Sequence, residues 1–175
     1  LSPLFGGVGY KQKTSKNKTM KNEIALKKVQ LFYDLFSMLT TYVNNLDKRQ
    51  KHDYETICFL VEDIKKEHTS IFEDTYMFDV NTALDKTIEL LTQLEDEGKL
   101  TDLDQNEFDG ICRIVLEGQE IECSEHIQVG KMIVCEGLPY QIIEIDYEDF
   151  SVKLWSGDEL DKGHWESPLN CVGKV

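Results

Sequence analysis

The chain has 175 residues, of which 41% are hydrophobic and 30% are charged, and its formal net charge is −14. This composition excludes a disordered polymer, and the length suits one compact domain or two small ones. No apolar run reaches the ~20 residues that span a bilayer. The negative charge argues against general binding to nucleic-acid backbones or anionic membranes, because the summed field repels both.

Charge divides the chain into a short basic start and a long acidic remainder. Residues 1–19 contain four lysines and no acidic residue, whereas residues 20–118 carry −10 and residues 119–175 carry −8. We therefore predict that residues 1–19 form a flexible basic tail that becomes ordered only against a partner. The chain begins with Leu1, so Met20 is an alternative start, in which case the tail does not belong to the native product.

Apolar residues recur at steps of three and four before Gly118, which is the period of amphipathic helices. Asp53 is the expected cap of the second helix, and Phe72 extends its pattern. Gly98 is the expected stop of the third helix. The pattern predicts a helical domain at 20–118 with about four helices, over residues 21–47, 53–64 and 81–94, and from residue 104 to just before Gly118.

The fourth helix has the clearest end signals. Asp104 and Glu107 have the spacing of a capping box, and Gly118 is expected just beyond the last turn. Residues 102–106 also begin like a calcium-binding loop. That loop needs glycine where Glu107 stands and a glutamate where Arg113 stands, so the helix cap is favoured.

After Gly118 the pattern changes to short β-rich runs joined by turns, one of which is the acidic turn at residues 146–149. This change predicts an α+β fold, in which a small antiparallel barrel at 119–175 follows the helical domain. Five strands are expected, over residues 131–135, 140–145, 150–155, 164–166 and 171–172.

Residues 125–175 resemble SH3-like small barrels of the KOW and Tudor kind. The residues that carry this resemblance are Val129-Gly130-Lys131, Gly137, Tyr140, Trp155 and Ser167-Pro168-Leu169. The resemblance implies a barrel fold that binds RNA, DNA, peptides or protein partners, and it selects none of these ligands. Nucleic-acid binders of this kind usually display basic loops, and the acidity of this segment disfavours that use.

The sequence contains no recognised catalytic motif, so we predict a protein without enzymatic activity or cofactor. Cys123 and His126 have zinc-like spacing, with Cys135, His164 and Cys171 as further candidate ligands, so zinc is kept as the alternative to no metal. Strand alternation explains buried cysteines equally well. The five cysteines form no Cys-x-x-Cys pair and follow no signal peptide, which indicates reduced thiols in a cytoplasmic protein.

Two aromatic features are candidates for binding. Trp155 and Trp165 flank an acidic loop, and such aromatics on small barrels form peptide grooves whose acidic rim favours Lys- and Arg-bearing ligands. The alternative is that the tryptophans fill the barrel core. The first helix carries more aromatic residues than a single apolar stripe requires. It is therefore either a surface that binds a partner or the central helix of the bundle. The candidate binding residues are Trp155, Asp158, Glu159, Asp161, His164 and Trp165.

These observations predict a non-enzymatic acidic interaction protein that binds a protein partner with a basic surface. Inhibitors of viral or mobile-element origin that mimic nucleic acid work in this way. One alternative is a structural component of a virion or large complex, whose basic tail threads into a neighbour. Another is a nucleic-acid-binding barrel that uses the tail lysines and Trp165. The sequence does not predict the partner or the oligomeric state.

Overall fold

A computed structural model describes residues 5–67 and 74–171, with side chains described from residue 22. Within these residues four helices precede four strands, which confirms the predicted α+β fold class. Two 3-10 turns, Val43–Asn45 and Pro168–Asn170, complete the regular structure. The elements are α1 (Phe5–Thr40), α2 (Lys48–Lys66), α3 (Asp74–Asp96), α4 (Asp102–Cys123), β1 (Met132–Cys135), β2 (Leu138–Asp146), β3 (Ser151–Trp155) and β4 (His164–Glu166).

The first helix begins earlier and ends earlier than predicted. Its backbone is helical from Phe5, so most of the predicted tail belongs to α1, while residues 1–4 lie outside the described residues. The helix ends at Thr40, and the chain turns through the 3-10 segment before α2 begins. Phe72, the predicted extension of the second helix, also lies outside the described residues.

The predicted caps of α2 and α4 are wrong because earlier residues cap these helices. Asp47 Oδ1 accepts from the Gln50 backbone N–H at 2.8 Å, and Gln50 Oε1 accepts from the Asp47 N–H at 3.1 Å. This reciprocal pair is a capping box, and it begins α2 ahead of Asp53. Thr101 Oγ1 likewise accepts from the Asp104 N–H at 3.2 Å, so α4 begins at Asp102.

Glycine has opposite roles at the two predicted helix ends. Gly98 has φ +70° and follows α3, as a left-handed stop requires, so this prediction is confirmed. Gly118 lies inside α4, which continues to Cys123, so its prediction as a stop is wrong. A β-carbon at Gly118 would lie 2.5 Å from the ring of Phe150. Gly118 therefore permits a close helix-to-sheet contact.

The four strands form one antiparallel sheet in the order β1-β2-β3-β4. Ile142 lies opposite Leu154, and Leu154 lies opposite His164. Of the predicted fifth strand, Cys171 forms an isolated bridge with Cys135, and residue 172 lies outside the described residues. The four described strands form an open sheet. The structure therefore confirms an antiparallel sheet and does not show a closed barrel.

The helices and the sheet share a single hydrophobic core in the described part of the chain. Buried side chains run without interruption from α1 to the 3-10 turn that follows β4. Lys28 on α1 adds a buried polar link, since its Nζ lies 2.7 Å from Glu122 Oε1 on α4 and 3.4 Å from Asn81 Oδ1 on α3. None of the described helices is both long and apolar enough to cross a bilayer.

Candidate interaction surface

The loop between β3 and β4 is organised by its own acidic residues. Asp161 accepts from the Ser156 and Gly163 backbone N–H groups, each at 2.8 Å, and these bonds lower the pKa of the Asp161 carboxyl. The Trp155 indole N–H donates to the Asp158 carbonyl at 3.0 Å. Both aspartates therefore fold the loop. Glu159, the third predicted acidic residue, is exposed.

Both tryptophans lie on the face of the sheet that is turned away from the core. Val152 and Leu154 are buried, so the alternating positions that include Trp155 face outward. Trp165 pairs with Lys153, is 45% exposed, and has the Lys153 Nζ 5.8 Å from its ring centroid. The interpretation of the tryptophans as core residues is wrong, and Trp165 is available for contact.

His164 does not join Trp165 in one site. It pairs with buried Leu154, and its ring meets the Tyr140 ring edge-on at 5.2 Å. Consecutive residues of a strand point to opposite faces, so His164 and Trp165 are directed apart. His164 Nε2 lies 4.0 Å from Glu166 Oε2, on its own strand. The predicted binding residues are therefore divided between a self-contained loop and two faces of the sheet.

Trp165 instead forms one wall of a groove at the other end of β3 and β4. This groove, which we call the tryptophan groove, has a volume of about 440 Å³. It is lined by Glu117, Asp146, Asp149, Ser151, Trp165, Glu166 and Ser167. The Ser167 hydroxyl donates to Glu117 Oε2 at 2.5 Å, which joins α4 to the segment after β4.

A larger groove adjoins it between α1 and the β2–β3 turn. This helix groove has a volume of about 1020 Å³ and is lined by residues 144–149 together with Glu23, Leu26, Lys27 and Gln30. Asp146 and Asp149 line both grooves, which makes them one continuous surface. We call this surface the acidic trough. Among the residues whose side chains the structure describes, its lining carries one lysine and seven carboxylates, those of Glu23, Glu117, Glu144, Asp146, Glu148, Asp149 and Glu166.

The shared acidic turn is held in place by local hydrogen bonds and by the core beneath it. Asp146 Oδ1 accepts from the Glu148 N–H at 2.8 Å, and Asp149 Oδ1 accepts from the Ser151 hydroxyl at 2.8 Å. Phe150 has φ +54° and is fully buried under α4. The backbone of the turn is therefore fixed before a ligand binds, so little conformational entropy is lost when its carboxylates contact the ligand.

Tyr147 shows how closely α1 approaches this turn. Burial, and to a smaller extent the negative charge of Glu23, raises the pKa of Tyr147 to about 12.

Repulsion among neighbouring carboxylates is relieved when a cation enters between them. Chemically, the trough is suited to ammonium or guanidinium groups, and Trp165 adds an aromatic face on which such groups stack.

Sequence reasoning found Trp165 and missed most of the trough. The acidic turn at residues 146–149 was visible in the sequence, but only as a turn. Glu23 and Glu117 gave no signal, because only the fold brings α1 and α4 beside that turn.

The proposed zinc ligands do not come together as one site in the described structure, although Cys135 and Cys171 pair with each other. Cys123 is exposed at the end of α4, and no group of three or more metal-binding side chains is found among the described residues. Cys135 and Cys171 are buried opposite one another in the isolated bridge. Burial is the main cause that raises the pKa of Cys171 to about 12, which keeps its thiol protonated and poorly nucleophilic.

No family model, curated protein or solved structure gives a significant match to this chain. The inferences about function therefore rest on the geometry and the charges described above.

Proposed function

We propose that the protein is a non-enzymatic interaction protein that binds a basic segment of a protein partner in the acidic trough. The observation that carries this proposal is the continuous pair of grooves, whose described lining has seven carboxylates against one lysine and is walled at one end by Trp165. A partner segment with Lys or Arg side chains supplies the missing positive charge. This site replaces the loop at residues 156–163 as the centre of the binding surface.

The trough divides recognition between charge and stacking. Exposed ion pairs contribute little individually, about 0.2–1 kcal/mol each, so the seven carboxylates act mainly by attracting and orienting the partner. Lys153 Nζ already lies over one face of the Trp165 ring. A partner's cation stacked on the other face contributes roughly 0.5–2 kcal/mol, so Trp165 provides a compact anchor. Arginine fits this combination better than lysine, since its planar guanidinium stacks and pairs with two carboxylate oxygens.

Proteins that bind nucleic acid are the partners that this chemistry favours. Their binding channels carry the lysines and arginines that contact phosphates, and fixed carboxylates reproduce the charge of those phosphates. We therefore propose that the protein acts in the cytoplasm as an inhibitor or nucleic-acid mimic of viral or mobile-element type. In this proposal the small sheet is an SH3-like module whose acidic rim serves protein binding.

Titration with a labelled peptide of eight arginines tests whether the trough binds basic segments. We expect binding that weakens as salt is raised and that falls at least fivefold in the variant D146N/D149N. The matched control D85N/E89Q removes the same two charges from exposed positions on α3 and should bind like the unaltered protein. Equal losses in both variants would mean that net charge alone, rather than the trough, attracts the peptide.

A pull-down from source-cell lysate tests the nature of the partner. We expect a protein that stays bound after nuclease treatment, is released by salt, and is lost in D146N/D149N. Recovery of RNA or DNA that disappears with nuclease would overturn the proposal in favour of a nucleic-acid-binding module.

A structural component of a larger assembly is the second candidate function. The favouring observation is that α1 carries a lysine-rich stretch directly before the residues that line the trough. An acidic receptor and a basic segment on one chain are what self-assembly requires.

A further inference from the structure

The lysine-rich part of α1 and the acidic trough are complementary surfaces of one chain. We propose that, when no other basic partner is bound, residues 11–18 of a second copy of this chain occupy the helix groove. The pairing is reciprocal, so two copies form a symmetric dimer. This inference rests on the proposed function, because it assigns a particular partner to the same trough.

Geometry prevents the basic stretch from reaching its own trough. The backbone of α1 is one helix over Phe5–Thr40, and Glu23 is the first of its described side chains that line the helix groove. At a rise of 1.5 Å per residue, residues 11–18 lie roughly 8–18 Å beyond Glu23 along the helix axis. A continuous helix does not fold back on itself, so the occupant comes from another molecule.

An antiparallel pair of α1 helices brings the two surfaces together. A twofold axis near Met20 places residues 11–18 of one copy beside residues 22–29 of the other. The stretch 22–29 contains the groove residues Glu23, Leu26 and Lys27. Because the axis relates the copies, each one supplies a basic stretch and receives one, and the contact closes after two molecules.

Charge and apolar exposure both favour this occupant. Residues 11–18 contain four lysines and no acidic residue, and the described lining of the helix groove carries five carboxylates against Lys27. At 3.6 residues per turn, Lys13 and Lys16 share one side of the helix and Lys11 and Lys18 the opposite side, so one pair of lysines meets the groove. Leu26 is 51% exposed on the groove wall, and a second helix lying there covers it. Exposed ion pairs are screened by salt, so we expect an association that is strong at low ionic strength and weak at high ionic strength.

Sedimentation velocity of the full chain over a concentration series tests the proposal. We expect dimers in 20 mM salt and at least a tenfold weaker association in 500 mM salt. The variant K11Q/K13Q/K16Q/K18Q should be monomeric in both buffers, with unchanged unfolding. The control K48Q/K51Q alters exposed lysines of α2 and should dimerise like the unaltered chain.

Mixing two variants identifies the surfaces that meet. The lysine variant and D146K/D149K should each be monomeric, and their mixture should form a heterodimer through one intact basic stretch and one intact trough. A dimer that persists in the lysine variant would overturn the proposal, because another interface would then hold it. An unaltered chain that is monomeric in 20 mM salt but binds the arginine peptide would overturn this inference and leave the proposed function standing. If the unaltered chain neither dimerises in 20 mM salt nor binds the arginine peptide, both this inference and the proposed function are wrong.

Discussion

The ring of Phe150 contacts α4 at Gly118 so closely that a β-carbon at position 118 would lie 2.5 Å from a ring carbon. Phe150 is fully buried, so its ring moves away only by displacing neighbouring core side chains. This contact is the point at which α4 fixes the β2–β3 turn, and hence the acidic residues on either side of Phe150.

We expect G118A to destabilise the protein by about 1–3 kcal/mol, because the added methyl group overpacks the contact. Alanine also improves helix propensity at position 118 by ~1 kcal/mol, but over most of the range of about 1–3 kcal/mol the overpacking cost is larger than this gain. Gly110 in the same helix is the matched control, since a β-carbon there meets no atom within 4 Å. In urea titrations G110A should be more stable than the unaltered protein, and equal shifts in both variants would contradict the contact.

The carboxyl pair Glu95 and Asp109 should make stability depend on pH. A hydrogen bond to Asp109, together with burial and the charges of Asp109 and Asp96, raises the pKa of Glu95. A group whose pKa is raised on folding contributes stability that is complete below its ordinary value of 4.5 and is lost as pH rises through the higher folded value. Glu95 Oε2 is also buried, with no hydrogen-bond partner among the described residues.

E95Q should therefore raise the melting temperature at pH 7, since glutamine keeps a hydrogen-bond donor and removes the charge. The difference from the unaltered protein should shrink towards pH 4. E89Q, which alters an exposed position on the same helix, should show no such dependence. A pH-independent difference for E95Q would mean that protonation of Glu95 is not involved.

The ion pair between the buried Lys28 and the exposed Glu122 should respond unequally to loss of either partner. The Lys28 side chain is 11% exposed, so E122A leaves a largely buried ammonium group whose remaining hydrogen bond among the described residues is to Asn81 Oδ1 at 3.4 Å, and it should cost about 1–3 kcal/mol. K28M should cost less, because an apolar chain of similar length fills the space without a charge. The double variant should regain most of the loss of E122A.

The exposed pair of Lys99 and Glu97 is the control for this comparison. K99M should change the free energy of unfolding by about 0–1 kcal/mol. If E122A costs no more than K99M, the link between α1 and α4 is not a stabilising contact.

Asp161 should control the order of the β3–β4 loop. Its lowered pKa means that its hydrogen bonds are complete above the ordinary value of 3.8 and are lost as pH falls through the folded value. D161A should speed amide exchange at Ser156 and Gly163 at pH 7, and E159Q should leave both amides protected. Unchanged exchange in D161A would show that other contacts hold the loop.

The fold class followed from periodicity, which is a local property of the sequence. Errors arose where a nearby or distant residue competed with a local signal. Asp53 does not cap α2, because Asp47 and Gln50 form a capping box earlier in the chain. Gly118 was predicted to end a helix, but it permits a close contact with Phe150, 32 positions away. His164 and Trp165 were grouped because they are adjacent, although strand alternation already implied opposite directions.

The trough itself was beyond local reasoning, because its carboxylates come from α1, α4 and the sheet. Sequence shows that a residue is acidic and does not show which distant residue lies beside it. Acidic residues are also so frequent in this chain that the seven relevant ones do not stand out.

Glu23 and Ser167, at the two sequence extremes of the trough lining, impose an order of events on synthesis. A nascent chain has no tryptophan groove until the segment after β4 has left the ribosome and joined α4 through Glu117. The aromatic end of the trough is therefore completed last, after all the described lining residues of the helix groove have been synthesised.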